Sequence, residues 1–498
     1  MKNGQTGVDE LREALSDQRV DLAIYVPGYP ITDAIPALGK TARMATNEKV
    51  ALEVALGASA TGRRSVVLVK HLGVNLLSDP LSISPTHTIG AGLVVLAGED
   101  VGPRGSQAEM DVRNYGPLCE IPVLDPAGPD LLRSALLEAF TLSEKIRAPV
   151  MVRTTFEFKE AARKLTSVQL PERVEEKGRF GTFDRSIWDL TSKGRHQRYR
   201  SEVLPEMRLA SGSSTLNFLR DAEEDLGIIA AGRPARLALN LKAKFPLLVA
   251  GFSHPLPWEM IRKFAREHER ILVAEEPTPF IEARLEICER VFGKTTGHLP
   301  WGKMEPQDLE RALELIASGT PPGPGPSPER FLDRPGSKNV CDDCPYRPVY
   351  EAVRDLNVPV AGDAGCSIRA VRPPMEAVDV VYGLGSSVGV ASGFGNKGVA
   401  LVGDYALAHS GLQGLIDSVN NNRDVLVVLL QNGVAAMTGC QVVQDITQIL
   451  DRIVPDFRTI DLPTNRESIE EVLREELAKP GVSLVVARGI CPRCDSAT

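Results

Sequence analysis

Two short runs hold the side chains best placed for chemistry, Gly403-Asp404-Tyr405 and Gln431-Asn432-Gly433. Each comes after a β-branched run that reads as a strand, Val399–Val402 and Val425–Leu430. In an open parallel sheet, ligands collect beyond the carboxyl ends of the strands. A carboxylate and an amide on adjacent strand ends, with backbone carbonyls nearby, suit a magnesium ion that keeps diphosphate oxygens as its other ligands. A Gly-Asp pair after a strand is common in turns, so spacing and strand context carry this reading. Gly383-Leu-Gly385-Ser-Ser-Val-Gly389 is a second glycine-rich turn after a strand; it could pass close to the same ligand or serve helix–sheet packing.

Four of the eight cysteines form Cys341-x-x-Cys344 and Cys491-x-x-Cys494, a spacing that points to metal or redox chemistry in an intracellular protein. Zinc, an iron–sulfur cluster and unligated thiols all remain open on spacing alone. Isolated cysteines such as Cys119 and Cys288 read as buried thiols. His71 comes directly after a strand and His409 lies just beyond the Gly-Asp-Tyr turn, so both are candidates for a catalytic or substrate role, against the structural role a lone histidine more often fills. Lys70 and Arg113 are candidates for neutralising a substrate carboxylate, and Tyr29 for walling its side-chain pocket.

These residues need scaffolds, and the chain supplies an α/β rhythm throughout. Leu22–Val26, Ser65–Lys70, Leu93–Leu96 and Pro149–Arg153 read as buried parallel strands of a first domain, 1–160. Residues 161–214 lose that rhythm and read as a connecting arm, with Phe180, Phe183, Trp188 and Tyr199 scattered along it. A second α/β unit, 215–317, has strands at Gly227–Ala230, Leu247–Ala250 and Ile271–Ala274, and a Pro/Gly linker comes next over 318–338. The last unit, 339–498, has strands near Val358–Val360, Val378–Val381, Val399–Val402, Val425–Leu430 and Ser483–Val486. The predicted fold class is α/β, with three doubly wound parallel-sheet domains. Ser410–Asn421 reads as the helix between the two site-bearing strands.

At 498 residues the chain can bury large cores, and its apolar (43 %) and charged (24 %) fractions are those of a globular protein. A net charge of -8 gives no electrostatic reason to bind nucleic acid or an anionic membrane. No apolar run approaches the roughly 18 residues of a membrane span and the first residues lack a signal-peptide core, so a cytoplasmic protein is expected.

The two strand-end motifs resemble the thiamine-diphosphate signature, Gly-Asp-Gly and then Asn-Asn, with Tyr405 and Gln431 as departures. More of the chain resembles the large subunit of indolepyruvate:ferredoxin oxidoreductases: Pro27-Gly28-Tyr29-Pro30, Asn47-Glu48 through Ser59, Lys70-His71-Leu-Gly73-Val-Asn75, Ser106-Gln107, Asp111-Val-Arg113, Phe280-Ile-Glu282, Gly293–Pro300, Cys341-Asp-Asp-Cys344-Pro and Met437-Thr-Gly439. The resemblance implies a pyrimidine-type domain, a transketolase C-terminal-like domain and a diphosphate-type domain. It implies Asp404, Asn432 and the carbonyl of Val434 as magnesium ligands, with Gly28, Gly383, Gly385 and Gly403 lining the thiamine diphosphate. It implies Glu48 as the carboxylate that hydrogen-bonds the aminopyrimidine. Cys341, Cys344, Cys366 and Cys491 resemble the cysteine order that holds a [4Fe-4S] cluster in related pyruvate oxidoreductases, with Cys494 competing for the fourth position.

The activity so implied is oxidative decarboxylation of a 2-oxo acid, an aryl pyruvate such as indolepyruvate being favoured, with coenzyme A as acyl acceptor and a ferredoxin-type electron acceptor. Family large subunits usually continue into a ferredoxin-like domain whereas this sequence stops at Thr498. Either a partner protein carries the further clusters, or the chain decarboxylates without oxidation and needs none; the usual small partner subunit is expected as well, in a hetero-oligomer built on a dimer. A non-oxidative thiamine-dependent decarboxylase, or a non-catalytic subunit that keeps the fold, are the rival readings.

Overall fold

The computed structural model describes residues 5–103, 106–161, 192–241, 244–285, 290–323 and 339–494. Most of the expected connecting arm and of the Pro/Gly linker, with Cys288, lies outside the described residues. The chain divides into two compact units, 1–327 and 328–498.

The first unit holds two sheets. One has seven strands in the order Phe252–His254, Val123–Leu124, Val150–Thr154, Leu93–Gly98, Ser65–Lys70, Leu22–Tyr25 and Ala42–Met44. All its pairings are parallel except that Phe252–His254 runs antiparallel to Val123–Leu124. The other has five strands, Val291–Phe292, Arg270–Ala274, Leu226–Ala230, Leu247–Val249 and Phe218–Arg220, the last antiparallel. The central strands are buried on both faces, as their unbroken Val/Ile/Leu runs require. One apolar core joins the two sheets, taking Leu68, Leu96 and Val152 from the first and Ile228, Leu247 and Leu272 from the second. The described part of the expected arm is helical from Ser192 to Ser213, with a π-turn at Tyr199–Val203, and Tyr199 packs onto that shared core.

The second unit is a six-stranded, all-parallel sheet in the order Val380–Val381, Val360–Gly362, Gly398–Gly403, Val425–Gln431, Val482–Arg488 and Arg458–Asp461. Alternation is clean: Val399 and Leu401 point into one core, Ala400 and Val402 into the other. A Leu or Val truncated to Ala in either layer would cost about 2–4 kcal/mol. Strand order reverses beside Val360–Gly362, so the crevice where such sheets take ligands lies at the carboxyl ends of Val360–Gly362 and Gly398–Gly403. Among the described residues no helix is long and apolar enough to cross a membrane.

The helix expected at Ser410–Asn421 starts earlier and is not uniform. A first turn at Asp404–Ala406 passes into a π-turn at Leu407–Gly411 and then into α-helix Leu412–Asn420. Such widened turns favour functional positions, and this one lies against a glycine turn. Gly385, at φ +80, packs against it so tightly that a Cβ there would lie 2.7 Å from the Ala406 carbonyl oxygen and 2.7 Å from the Gly411 nitrogen.

Candidate functional site

In the second unit, Asp404 begins its helix where strand Gly398–Gly403 ends, and the end of Val425–Gln431 lies alongside because the two strands pair in parallel register. The Asp404 carboxylate is nearly buried and accepts three backbone N–H bonds, from Tyr405 to Oδ1 (2.8 Å) and from Asn432 (2.9 Å) and Gly433 (2.6 Å) to Oδ2. Burial raises its pKa, and the three N–H groups oppose that rise. Asn432 Oδ1 accepts the Val434 N–H at 3.0 Å. The structure therefore gathers Asp404, Asn432 and Val434 at one junction. A Cβ added at Gly403 or Gly433 would meet nothing within 4 Å, so backbone faces open space on both strand ends. Tyr405 turns its ring edge-on to His409, with centroids 5.9 Å apart. His409 is buried, with Nδ1 3.1 Å from Ser410 Oγ, and Ser410 in turn donates to the Leu384 carbonyl at 2.6 Å. That bond ties the Gly383–Gly385 turn to the π-turn. A cavity of about 530 Å³ opens beside Asp404, walled by Gln431, Asp445, Thr447, Asp461 and Arg488.

Two residues outside the expected set, Asp363 and Ser387, support this junction. Asp363 ends strand Val360–Gly362 and accepts the Ser387 hydroxyl at 2.6 Å and its N–H at 3.3 Å, anchoring the glycine turn. Burial pushes its carboxyl up to about 6, against those bonds. The sequence did hold a signal for it: Gly362-Asp363 is a second Gly-Asp pair at a strand end.

The cysteines come from three separated segments. Cys344 is pushed up to about 11 by burial, opposed by a backbone N–H and reinforced by the neighbouring Cys366, Cys341 and Cys491. Cys366 is raised by burial, with Arg369 opposing and Cys491 and Cys341 adding to the rise. The four thiols are thus close enough to feel one another. They do not converge on one point: among the described residues no group of three or more His, Cys, Asp or Glu is arranged to hold a single metal ion. Cys494 is disulfide-bonded to Cys440, whereas Cys491 carries a free thiol.

In the first unit, Glu48 opens helix Glu48–Ala60, capped by Asn47, whose side chain accepts the Val50 N–H at 2.9 Å. Its side chain lies over Gly73, where a Cβ would come within 2.7 Å of the Glu48 carboxyl carbon. Lys70 crosses Gly28 in the same way, its Cδ 2.7 Å from a would-be Cβ. Burial lowers the Lys70 pKa, while Asp100 and then Glu48 hold the ammonium in its charged form. Gly28, Glu48, Lys70 and Asp100 thus share one neighbourhood, and Asp100 was not foreseen. Tyr29, next to Gly28, is half-buried.

Two further candidates, His71 and Arg113, are held by groups of the first unit itself. His71 is buried, with Nε2 3.0 Å from the Ala108 carbonyl and Nδ1 accepting the Asp100 N–H at 3.3 Å. Both ring nitrogens thus meet backbone groups, those of Ala108 and Asp100. Arg113 is fully buried and pairs with Asp111 (2.6 Å) and Glu275 (2.6 Å), donating also to the Glu276 and Thr278 carbonyls. Burial works against the Asp111 charge, but Arg113 outweighs it and holds that carboxyl down to about 2. Arg153 is likewise enclosed, with Asp125 and Glu99. Arg113 thus has acidic and carbonyl partners on every side within the unit.

Residues 363–487 match the C-terminal binding domain of thiamine pyrophosphate enzymes. Among the chain's relatives are proteins named indolepyruvate oxidoreductase subunit IorA. That of Methanothermobacter marburgensis is 30 % identical over 96 % of this chain and 85 % of its own length. That of Methanothermobacter thermautotrophicus is 31 % identical over 86 % of this chain and 74 % of its own. That of Archaeoglobus fulgidus is 27 % identical over 97 % of this chain and 86 % of its own. With its thiamine-type domain and these relatives aligned over most of its length, the chain belongs to the indolepyruvate oxidoreductase IorA family.

Proposed function

We propose that this chain is the thiamine-diphosphate-binding subunit of a 2-oxo acid oxidoreductase that decarboxylates an aryl pyruvate such as indolepyruvate. Electrons would leave through a [4Fe-4S] cluster to a ferredoxin-type acceptor, coenzyme A would take the acyl group, and a small partner subunit would complete the enzyme. The observation that carries the reading is the Asp404 junction: a nearly buried carboxylate beyond the strand ends, beside Asn432 and Val434, with glycine backbone facing open space on both sides.

The donor set fits the group. One carboxylate, one amide and one carbonyl suit a hard divalent cation that keeps diphosphate oxygens in its coordination sphere. Thiamine diphosphate, when bound, supplies the carbanion chemistry that a protein side chain lacks. Asp404, Asn432 and the Val434 carbonyl would hold the magnesium, and the Gly383–Gly385 turn would approach the diphosphate. Glu48 would hold a proton at the aminopyrimidine ring nitrogen, with Gly73 leaving it the room to do so. Lys70, kept charged by Asp100 and Glu48, would meet the substrate carboxylate, and Tyr29 would border the aryl group. His409 and His71 would lie near the reacting end, where substrate meets cofactor. Cys341, Cys344, Cys366 and Cys491, whose thiols neighbour one another, would hold the cluster.

The test is anaerobic purification, then calorimetry with thiamine diphosphate, iron and sulfide analysis, and turnover of indolepyruvate with coenzyme A and a low-potential dye. Magnesium-dependent binding, iron bound to the chain and dye reduction together are the expected result. Carbon dioxide release without dye reduction would replace the oxidoreductase by a simple decarboxylase. Absence of thiamine diphosphate binding would overturn the reading altogether.

A further inference from the structure

Tyr346 comes directly after Cys341-x-x-Cys344-Pro345 and is nearly buried. Its hydroxyl lies 2.7 Å from the Gln431 carbonyl and 3.1 Å from the Gly489 carbonyl, so a single phenolic proton is shared between two strand ends. The Gly489 N–H also donates to the Gln431 carbonyl at 3.0 Å. Gly489 has no side chain where the phenol packs, and a Cβ there would lie 3.3 Å from Tyr346 Cζ. Gly489 stands two residues before Cys491.

The Gln431 carbonyl belongs to the peptide whose other end is the Asn432 N–H, and that N–H donates to Asp404 Oδ2 at 2.9 Å. A peptide unit is a rigid plane, so fixing its oxygen fixes the direction of its N–H. The tyrosine therefore holds one plane by its oxygen while Asp404 is held by the nitrogen of the same plane. Cys344 lies two residues before this tyrosine and Cys341 five, while Cys491 lies two residues after the Gly489 carbonyl that its hydroxyl meets.

We propose that Tyr346 is a positioning residue that sets the four-cysteine site in register with the Asp404 carboxylate, through the Gln431–Asn432 peptide. The proposal rests on the functional reading above, in which the thiols hold iron and Asp404 holds magnesium. Its chemical content is coupling: occupancy of the cysteine site strengthens thiamine diphosphate binding, and Tyr346 transmits the effect.

The experiment is a double-mutant cycle read by anaerobic calorimetry of thiamine diphosphate with magnesium, using wild type, Tyr346→Phe, Cys341→Ser and the double variant. The ring is kept in Tyr346→Phe and one donor is lost, so affinity should fall by about tenfold. Coupled groups give non-additive effects, and the double variant should bind no worse than Cys341→Ser alone. In wild type, adding the diphosphate should alter the electron paramagnetic resonance of the reduced cluster, and in Tyr346→Phe it should not. Unchanged affinity in Tyr346→Phe, or effects of the two substitutions that simply multiply, would overturn the proposal. Should Tyr346→Phe not fold, wild type decides alone: stripping its iron should speed hydrogen exchange of the Asn432 and Gly433 amides, and unchanged protection would sink the idea. A wild-type protein that binds neither iron nor thiamine diphosphate would instead refute the functional reading itself.

Discussion

Replacing Asp404 by alanine separates stability from ligand binding, because the two draw on opposite sides of one charge. In the free chain the carboxylate accepts three backbone N–H bonds at 2.6–2.9 Å. Hydrogen bonds to an ionised group contribute about 1.5–3 kcal/mol each. Burying an unpaired carboxylate costs several kcal/mol in the other direction. Burial is the larger influence here, since the Asp404 pKa is raised despite all three bonds. The terms therefore nearly cancel, and the expected loss of stability is only about 1–2 kcal/mol, from N–H groups left unsatisfied. A divalent cation reverses the balance by favouring the ionised form, so removal of the carboxylate should weaken magnesium-dependent thiamine diphosphate binding by at least about 100-fold, roughly 3 kcal/mol. Urea unfolding of the free variant measures the first quantity. The increment that ligand adds to wild-type stability, about 2.7 kcal/mol at a hundred times the dissociation constant, measures the second. A variant that keeps this increment while losing several kcal/mol in the free state would refute the reasoning, because Asp404 would then be a structural anchor and no more.

The geometry sets three further outcomes. Gly73→Ala should push the Glu48 carboxylate aside and slow C2–H exchange of bound thiamine diphosphate as Glu48→Gln does, by about 10-fold or more, with binding itself little changed; unaltered exchange measured by NMR would contradict the close approach. Arg113→Leu should cost about 3–5 kcal/mol in denaturant unfolding by stranding Asp111 and Glu275, whereas a folded variant whose only defect is a raised KM for the 2-oxo acid would point to the substrate role. The Asp363 carboxyl, pushed from the ordinary 3.8 up to about 6 by burial, makes the folded state bind a proton more tightly than the unfolded chain. Its stabilising contribution is therefore complete below pH 3.8, is lost as pH rises through about 6, and amounts to about 3 kcal/mol. The difference in unfolding free energy between wild type and Asp363→Asn should fall across that window, and a flat difference would reject the assignment.

Positions along the third sheet were legible because a parallel strand buried on both faces writes itself as an unbroken apolar run, and the residues just after such a run must lie at the sheet's carboxyl edge. Asp404 and Asn432 could be placed from that alone. Bringing Cys341, Cys366 and Cys491 near one another required only that three strand or loop ends share an edge. The partners of Arg113 could not be read, because nothing local distinguishes an arginine that meets solvent from one that meets Glu275, more than 160 residues away. The partner of His71 was hidden for the same reason, since Ala108 lies outside any helix or strand. Tyr346 carried no signal beyond its place after a cysteine pair, since its meaning comes from carbonyls on two distant strands. The Cys440–Cys494 disulfide was equally invisible, because pairing depends on where loops end and not on spacing.

The strand Phe252–His254, which closes the edge of the seven-stranded sheet, bears on how the chain emerges from a ribosome. When the first 160 residues have been made, Val123–Leu124 is still an open edge, and Asp125 and Arg113 await Ser253 and Glu275. An unpaired edge is a template for intermolecular pairing, and at about 5–20 residues per second the wait lasts several seconds. Fragments ending near residue 160 should therefore aggregate when expressed alone, whereas those reaching past residue 320 should not. The nascent chain would need a chaperone's protection over that interval, until the segment that seals its own sheet has been synthesised.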